Sequence, residues 1–594
     1  MSSILAGPAA ARTPRRSSAA GGSWSDRRDQ PPIPRTPAVR RGGPALRVTR
    51  QNNVILFLLF LGLLWLGGGA ANAASLTPEA REMLRRMPIQ HQGRVKPFDT
   101  FARETIKQLT GNSRIHGQDP VDTLLSMIAE PDRWRDVELI AVPSMPLREA
   151  LGMEHRAARI SYNRLTAERK LMRMLPEIVE KERRSEPLSP LDHEAMDVYE
   201  RFVAFSRLTE QELAVVPPPA TGRSRVWLPI TEPAGYPEET QQQLRGLWSD
   251  LLTVVREPAI PDRVVTAAAQ LTARLRELNS RAYPRRDRVK LELRYNTTAP
   301  FRKAQIAYAL AGLALLVSVI NGSRRASGAG MIALLIGAAF HAWGIGARVV
   351  IGGRPPVSNF YETMLWLPFV AVVLGLVLER LYRTRYLGCA AAILAAITLT
   401  LADIVPLDSS ISPVVAVLRS NLWLTVHVLT IVASYGALAL AAVAAHLYAG
   451  LSLAGRKEPL VSLDLLIYRA LQVGVVLLAG GIMLGAVWAN ASWGRYWGWD
   501  PKETWALITL LWFLAVLHGR FAGWLKGLGV AASTIGGFFL LLMTYYGVSF
   551  YLVGLHAYAG GHARPLPPLL IAYFVLEAAF LAFLGYRALR RKTA

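Results

Sequence analysis

Residues 422–452 read LWLTVHVLTIVASYGALALAAVAAHLYAGLS, thirty-one consecutive positions without an Asp, Glu, Lys or Arg. A helix rising ~1.5 Å per residue crosses the ~30 Å hydrocarbon core of a bilayer in about 20 apolar residues, so this run is long enough to span with length to spare. Working outward from it, runs of comparable length recur at 304–321, 329–351, 363–381, 386–404, 468–489, 505–522, 528–552 and 567–588. The spacing predicts an all-α polytopic membrane protein with nine C-terminal transmembrane helices.

The basic residues give these spans a direction. With the first span entered from outside, the inner loops carry Arg324-Arg325, Arg380/Arg383/Arg385, Arg456-Lys457, Arg520/Lys526 and the tail Arg587/Arg590/Arg591/Lys592. The outer loops carry Arg354, Arg419, Arg495/Lys502 and Arg564. The excess of cations falls inside at every turn, as the positive-inside rule requires, and this agreement supports nine spans.

Before the spans the character changes. Residues 1–50 hold ten Arg and two Asp among Pro, Ser, Ala and Gly, and read as a disordered basic cytoplasmic tail. Residues 51–74 contain the apolar stretch VILFLLFLGLLWL (54–66) and then Ala71-Asn72-Ala73, either a signal peptide with an AxA-like site or an uncleaved membrane anchor. Both readings place 75–300 outside the cytoplasm as a mainly helical domain. Its helix signals include Thr77 as N-cap with Pro78 in the first turn, and the charged stretch 165–184. The net charge of +24 would suit nucleic acid. Its concentration in the tail and in short loops between apolar runs argues against that partner. The one cysteine, Cys389, excludes a disulfide framework, a Cys-based metal site and a CxxCH haem attachment within this chain.

The chemistry concentrates in residues 488–505, WANASWGRYWGWDPKETW, with five Trp and one Tyr in eighteen positions. An interfacial aromatic belt would scatter such residues over many helix ends. One dense block with Gly494 and Gly498 between the rings instead offers flat apolar faces to a planar ligand. Asp500-Pro501-Lys502-Glu503 has the pattern of an N-cap, an N1 proline and an N3 acid, so Asp500 and Glu503 have a capping role beside any ligand role. The helix N-terminus and Lys502 favour an anionic group at the edge of the site.

This block resembles the WWD signature of the cytochrome c assembly superfamily, and its ending WDPKETW resembles the CcsA (ResC) branch, over roughly residues 301–560. Gly93 to Thr100 (GRVKPFDT) is similar to a segment that precedes the CcsA-like part in some bacterial members. The resemblance implies a subunit of a system II cytochrome c synthase in the bacterial inner membrane. It implies haem b as the group handled, apocytochrome c bearing CxxCH as client, and a CcsB/ResB-type membrane partner with thiol-reducing proteins.

Six of the ten histidines lie in the membrane half, where imidazole is expensive and commonly functional. His427 opens one span and His556 closes another, both near the outer face. The resemblance makes them the outer haem-ligand pair, with Trp488, Trp493, Trp497, Trp499, Asp500 and Trp505 around them. It makes His518 the transmembrane-site ligand. The partner of His518 is open: His341 is the first candidate within this chain and His446 the second, each equally readable as a packing histidine. His562 reads as a loop residue, and His91, His116, His155 and His193 lack metal-ligand spacing. Arg354, in RPPVSNFYE (354–362), is a candidate for a haem propionate. Two other functions remain beside a synthase: a haem transporter or chaperone without attachment activity, and a haem-bearing electron-transfer subunit.

Overall fold

The computed structural model describes residues 76–593 except 116, 185, 222–223, 257–260, 406, 414–421 and 557–567. The basic tail, the first apolar segment, His116, Arg419, His562 and Arg564 lie outside the described residues.

The N-terminal domain is mainly helical: α1 Pro78–Arg85, α2 Phe98–Thr110, α3 Pro120–Ala129, α4 Pro131–Arg135, α5 Met145–Leu151, α6 Tyr162–Glu168, α7 Lys170–Arg183, α8 Pro190–Thr209, α9 Glu238–Arg256, α10 Pro261–Leu278 and α11 Arg286–Thr298. Thr77 caps α1 as expected, its hydroxyl accepting from the Ala80 amide at 3.2 Å. The stretch 165–184 is not one helix. Arg169 has φ 52°, a left-handed conformation that ends α6 and starts α7.

The sequence pattern did not announce two short antiparallel hairpins, β1 Pro88–His91 with β2 Arg94–Pro97 and β3 Ile140–Ala141 with β4 Arg159–Ile160. In the first, Gln92 and Gly93 both have positive φ, as a two-residue type I′ turn requires, so the GRVKPFDT segment starts in the turn and runs into α2. The domain holds its own hydrophobic cores, built on Phe98, Leu124, Trp248 and Leu271 and, separately, on Leu147, Leu171 and Val198.

Among the described residues nine helices are long and apolar enough to cross a membrane. They are α12 Pro300–Asn321, α13 Arg324–Gly352, α14 Phe360–Tyr382, α15 Tyr386–Ile404, α16 Leu422–Leu453, α17 Glu458–Trp493, α18 Pro501–Phe521, the composite α19 Leu528–Leu542 with α20 Val548–Tyr551, and α21 Pro568–Thr593. The multi-pass all-α architecture expected from hydropathy is therefore present. Met543–Gly547, between α19 and α20, is a turn of π-helix. The 36 residues of α17 make it about 54 Å long, well beyond the hydrocarbon core, and its N-terminal extension carries Asp464 in an ion pair with Arg520 of α18 at 2.6 Å.

Counting crossings places the N-terminal domain, the start of α16, the α17–α18 connection and the end of α20 at one end of the bundle. That end is pinned by a buried ion-pair knot. Glu362 receives Arg348 at 2.9 Å and Arg354 at 2.6 Å, with Arg348 and Glu362 only 2% and 1% exposed. Arg348 also donates to the Ser409 and Ser410 carbonyls and to the Tyr295 hydroxyl, and Arg354 donates to the Ser412 carbonyl. Arg354 is thus committed to structure rather than available to a propionate.

Candidate functional site

The Trp-rich block is only partly a loop. Trp488 and Trp493 ride the last turns of α17, which ends at Gly494 in the left-handed conformation, and Trp505 belongs to the second turn of α18. Only Gly494–Asp500 is irregular. Helix propensity carries α17 past the membrane edge because Ala489, Asn490, Ala491 and Ser492 give it nothing to break on until the glycine supplies a C-cap.

His427 sits in the first turns of α16 against α17. A Cβ on Gly485 would lie 2.7 Å from His427 Cε1, so the missing side chain is what admits the imidazole. Its Nδ1 is 2.7 Å from the Gly481 carbonyl, which only accepts, so Nδ1 carries the proton and Nε2 the lone pair. His556, past the end of α20, makes the matching arrangement with a carboxylate: Nδ1 is 2.7 Å from Asp500 Oδ1. Trp488, 1% exposed, touches both rings, lying parallel to His427 at 6.3 Å and edge-on to His556 at 6.0 Å between centroids. Trp493 packs edge-on to Trp488 at 4.7 Å and to His556 at 5.7 Å.

Asp500 joins the halves of this site. It caps α18 through the Lys502 amide at 3.0 Å, accepts from the Leu555 amide at 2.7 Å and holds His556. Burial opposes its ionisation, but the His556 ring and the Lys502 and Leu555 amides outweigh that effect and hold its carboxyl below the ordinary value. Glu503 closes the capping box and accepts from both the Gly498 and Asp500 amides, at 2.8 and 3.2 Å, which folds the loop over the helix end. Trp499, trapped between those two amides, has φ 56° and is 70% exposed. Trp497 meets it edge-on at 5.7 Å.

The donor set suits haem. Ligating histidines characteristically donate the other ring N–H to a carbonyl or carboxylate, and both imidazoles here do so. The indole N–H groups of Trp488 and Trp497 are buried without an acceptor among the described residues, and a bound group bearing carboxylates would supply one.

A family model described as "Cytochrome C assembly protein" matches residues 357–556, which contain all of these groups. The chain is 30% identical over 505 residues to protein NrfI of Wolinella succinogenes, covering 80% of this chain and 54% of NrfI. It is 35% identical to the cytochrome c biogenesis protein CcsA of Prochlorococcus marinus over 278 residues, covering 86% of that protein. With CcsA of Guillardia theta it shares 36% identity and covers 80%. The chain belongs to the CcsA-type cytochrome c biogenesis family. It spans about half the length of NrfI. The NrfI likeness covers more residues than the membrane half contains, so it reaches into the N-terminal domain, which the motifs alone left without a relative over most of 110–300.

The other residues expected of a CcsA-type protein separate by position. His518, near the opposite end of α18, is exposed, and its Nδ1 donates to the Leu514 carbonyl at 2.8 Å, the same tautomer as His427. His341 does not join it. That ring is sealed among α12, α13 and α14, with Tyr308 Oη 3.2 Å from its Nδ1 and Phe301 and Phe369 edge-on. His446 is also occupied, Nδ1 by the Ala442 carbonyl and Nε2 by Glu577 at 2.7 Å. His446 thus has both ring nitrogens bonded, whereas His341 Nε2 is buried without a partner among the described residues. Lys502 does not reach toward the histidines either. Its ammonium turns to the Ser549 hydroxyl at 2.7 Å and the Tyr545 carbonyl at 3.2 Å, an acceptor in the π turn. The Trp505 carbonyl accepts from Thr509 and Thr544. Among the described residues no cluster of three or more His, Cys, Asp or Glu could hold a bare metal ion.

Proposed function

We propose that this protein takes haem b as its substrate, holds the iron between His427 and His556 beside the Trp-rich block, and presents it to the CxxCH segment of an unfolded apocytochrome c. The observation carrying this reading is the pair of imidazoles whose Nδ1 protons are directed to the Gly481 carbonyl and the Asp500 carboxylate, which makes Nε2 the lone-pair nitrogen of each ring, the tautomer a haem ligand requires. The two Cys thiols of the client add across the haem vinyl groups, each sulfur bonding one vinyl carbon and its hydrogen going to the other. The client's histidine then displaces one of the two imidazoles. This chain's own contribution is orientation and exclusion of water, from Trp488, Trp493 and Asp500. The basic loops support an orientation with the opposite end in the bacterial cytoplasm and the histidine pair outside the inner membrane. Haem arrives past His518, whose exposed imidazole suits a second ligand supplied by a CcsB/ResB-type partner, while thiol-reducing proteins keep the client's cysteines competent.

Expression with a CcsB-type partner and a reporter apocytochrome, in a host lacking its own maturation system, tests this. The expected outcome is thioether-linked reporter with the wild type, loss with His427→Ala or His556→Ala, and recovery on adding imidazole. Haem-loaded wild type that yields no thioether product would make the protein a transporter. Wild type without haem would sink the ligand assignment.

A further inference from the structure

The segment joining the domain to the first span carries a charge that the haem site does not use. Arg281, Arg285, Arg286, Arg288, Lys290 and Arg294 are all exposed, and none has an ion-pair partner among the described residues. Some arginines elsewhere in the same domain are paired, among them Arg81 with Asp122, Arg94 with Glu292 and Arg103 with Asp99. This cluster also stands at the end of the bundle where the other connections carry few cations, opposite to the distribution that sets the orientation.

Its height follows from packing. Pro300 and Phe301 lie against Gly344, Leu291 and Tyr295 pack on Ala347 and Ile351, and Arg288 Nη2 is 4.0 Å from a Cβ built on Gly353. Thus α11 runs antiparallel beside the last turns of α13. That helix has 29 residues, about 43 Å, longer than the ~30 Å core, and the charged Arg348, Arg354 and Glu362 gather at its C-terminal end, which puts that end, and α11 with it, at the headgroup layer. Beside α11 a groove of about 780 Å³ has Met83, Met87, Tyr283 and Val289 in its walls, with Arg286 and Lys290 on the α11 side and, on the α1 side, Glu79 and Glu82, the latter paired with Arg86. Apolar walls and unpaired cations at headgroup height fit an amphiphile with a negative head.

We propose that α11 and the turn before it bind an anionic glycerophospholipid, the cations taking its phosphate and the groove its apolar part. The full-length protein in nanodiscs of phosphatidylcholine, with and without phosphatidylglycerol, tests this by amide hydrogen exchange over 281–294 and by native mass spectrometry of retained lipid. Phosphatidylglycerol is expected to slow exchange in that segment and to be retained after extraction. The triple variant R286Q/R288Q/K290Q should weaken retention on the order of fivefold per residue while exchange in the spans stays unchanged. R383Q/R385Q, at the other end of the bundle, should leave retention as in the wild type. Equal exchange with and without phosphatidylglycerol, or undiminished retention by the triple variant, would overturn the proposal. Equal protection by inorganic phosphate alone would also overturn it, by assigning the cations to a free anion.

Discussion

Asp500 is the residue on which helix capping and haem ligation meet, and two substitutions separate these roles. Asn is as good an N-cap as Asp, so Asp500→Asn should leave thermal stability nearly unchanged, whereas Asp500→Ala should lose about 1 kcal/mol with the cap. Both lose the carboxylate behind His556 Nδ1, and loss of such a partner typically weakens metal affinity by about 10- to 100-fold. Haem retained through purification should therefore fall for both, with only the Ala variant melting earlier; unchanged retention by the Asn variant would remove Asp500 from the site. The pH sense follows from the direction of its shift. A carboxyl held below the ordinary 3.8 keeps its stabilising contacts above that value and loses them only as pH falls through the lower, folded value, so acidification from neutrality to mildly acid conditions should not release His556 through Asp500. The cap was legible in the order Asp-Pro-Lys-Glu, because capping is local. The bond to His556 was not, since nothing in a sequence reports a contact across 56 positions. Lys502 shows the same limit: its bonds to the Tyr545 carbonyl, in the π turn Met543–Gly547, and to the Ser549 hydroxyl reach across 43 and 47 positions. Trp499 shows a further signal that sequence lacks, a left-handed backbone at a bulky residue. Trp499→Gly should relieve roughly 1 kcal/mol of that conformational strain, set against the greater chain entropy of glycine. Its Tm should hold or rise while the exposed indole is lost; a fall in Tm would show that the indole stabilises the loop more than its backbone strains it.

At the scale of elements, the contact between α16 and α17 is where packing becomes chemistry. A Cβ on Gly481 would come within 3.0 Å of Ile431 Cα, a backbone atom that cannot step aside, whereas one on Gly485 would meet the imidazole of His427. Gly481→Ala should accordingly destabilise the pair by about 1–3 kcal/mol through overpacking. Gly485→Ala should instead fold normally and shift the haem absorption spectrum, because a side chain rather than a helix moves. Similar Tm changes for the two would refute that division. Hydropathy located α16 to within a residue but only the apolar middle of α17, which begins ten residues before the run 468–489, since bilayer thickness is a one-dimensional constraint, and it is blind to which face meets which. It equally concealed the Arg348–Glu362–Arg354 knot, because a charge at the end of an apolar run reads as a span boundary. Removing one member of a buried pair strands the other, so Glu362→Ala should lower stability by about 3–5 kcal/mol. The double variant R348M/E362L should recover part of that loss, though Arg354 then also lacks its partner.

At the scale of the whole molecule, the CcsA relatives correspond to 36–41% of this chain, and the physical division agrees with that proportion. The membrane core is built from residues of 301–541, with none of the domain's buried residues, and the domain's own cores are built without the spans. Within the domain Arg94 and Thr100 hold Glu292 of α11, and between the domain and the spans stand two specific contacts, Lys107 with Ser409 and Gly93 beside Pro413. Both of these reach the connection that leads to α16, hence to His427. A chain beginning at Arg286 keeps α11, Tyr295 and the knot around Glu362, so it should insert, retain its helicity and bind haem. What it should lose is order in 407–413, read as faster amide exchange there, and with it some affinity for haem at His427 rather than at His518. If the shortened chain failed to insert, the domain would be part of the membrane fold. If its exchange in 407–413 matched the full chain, the domain's hold on that connection would carry no energy, and its role would have to lie with the client or the lipid surface.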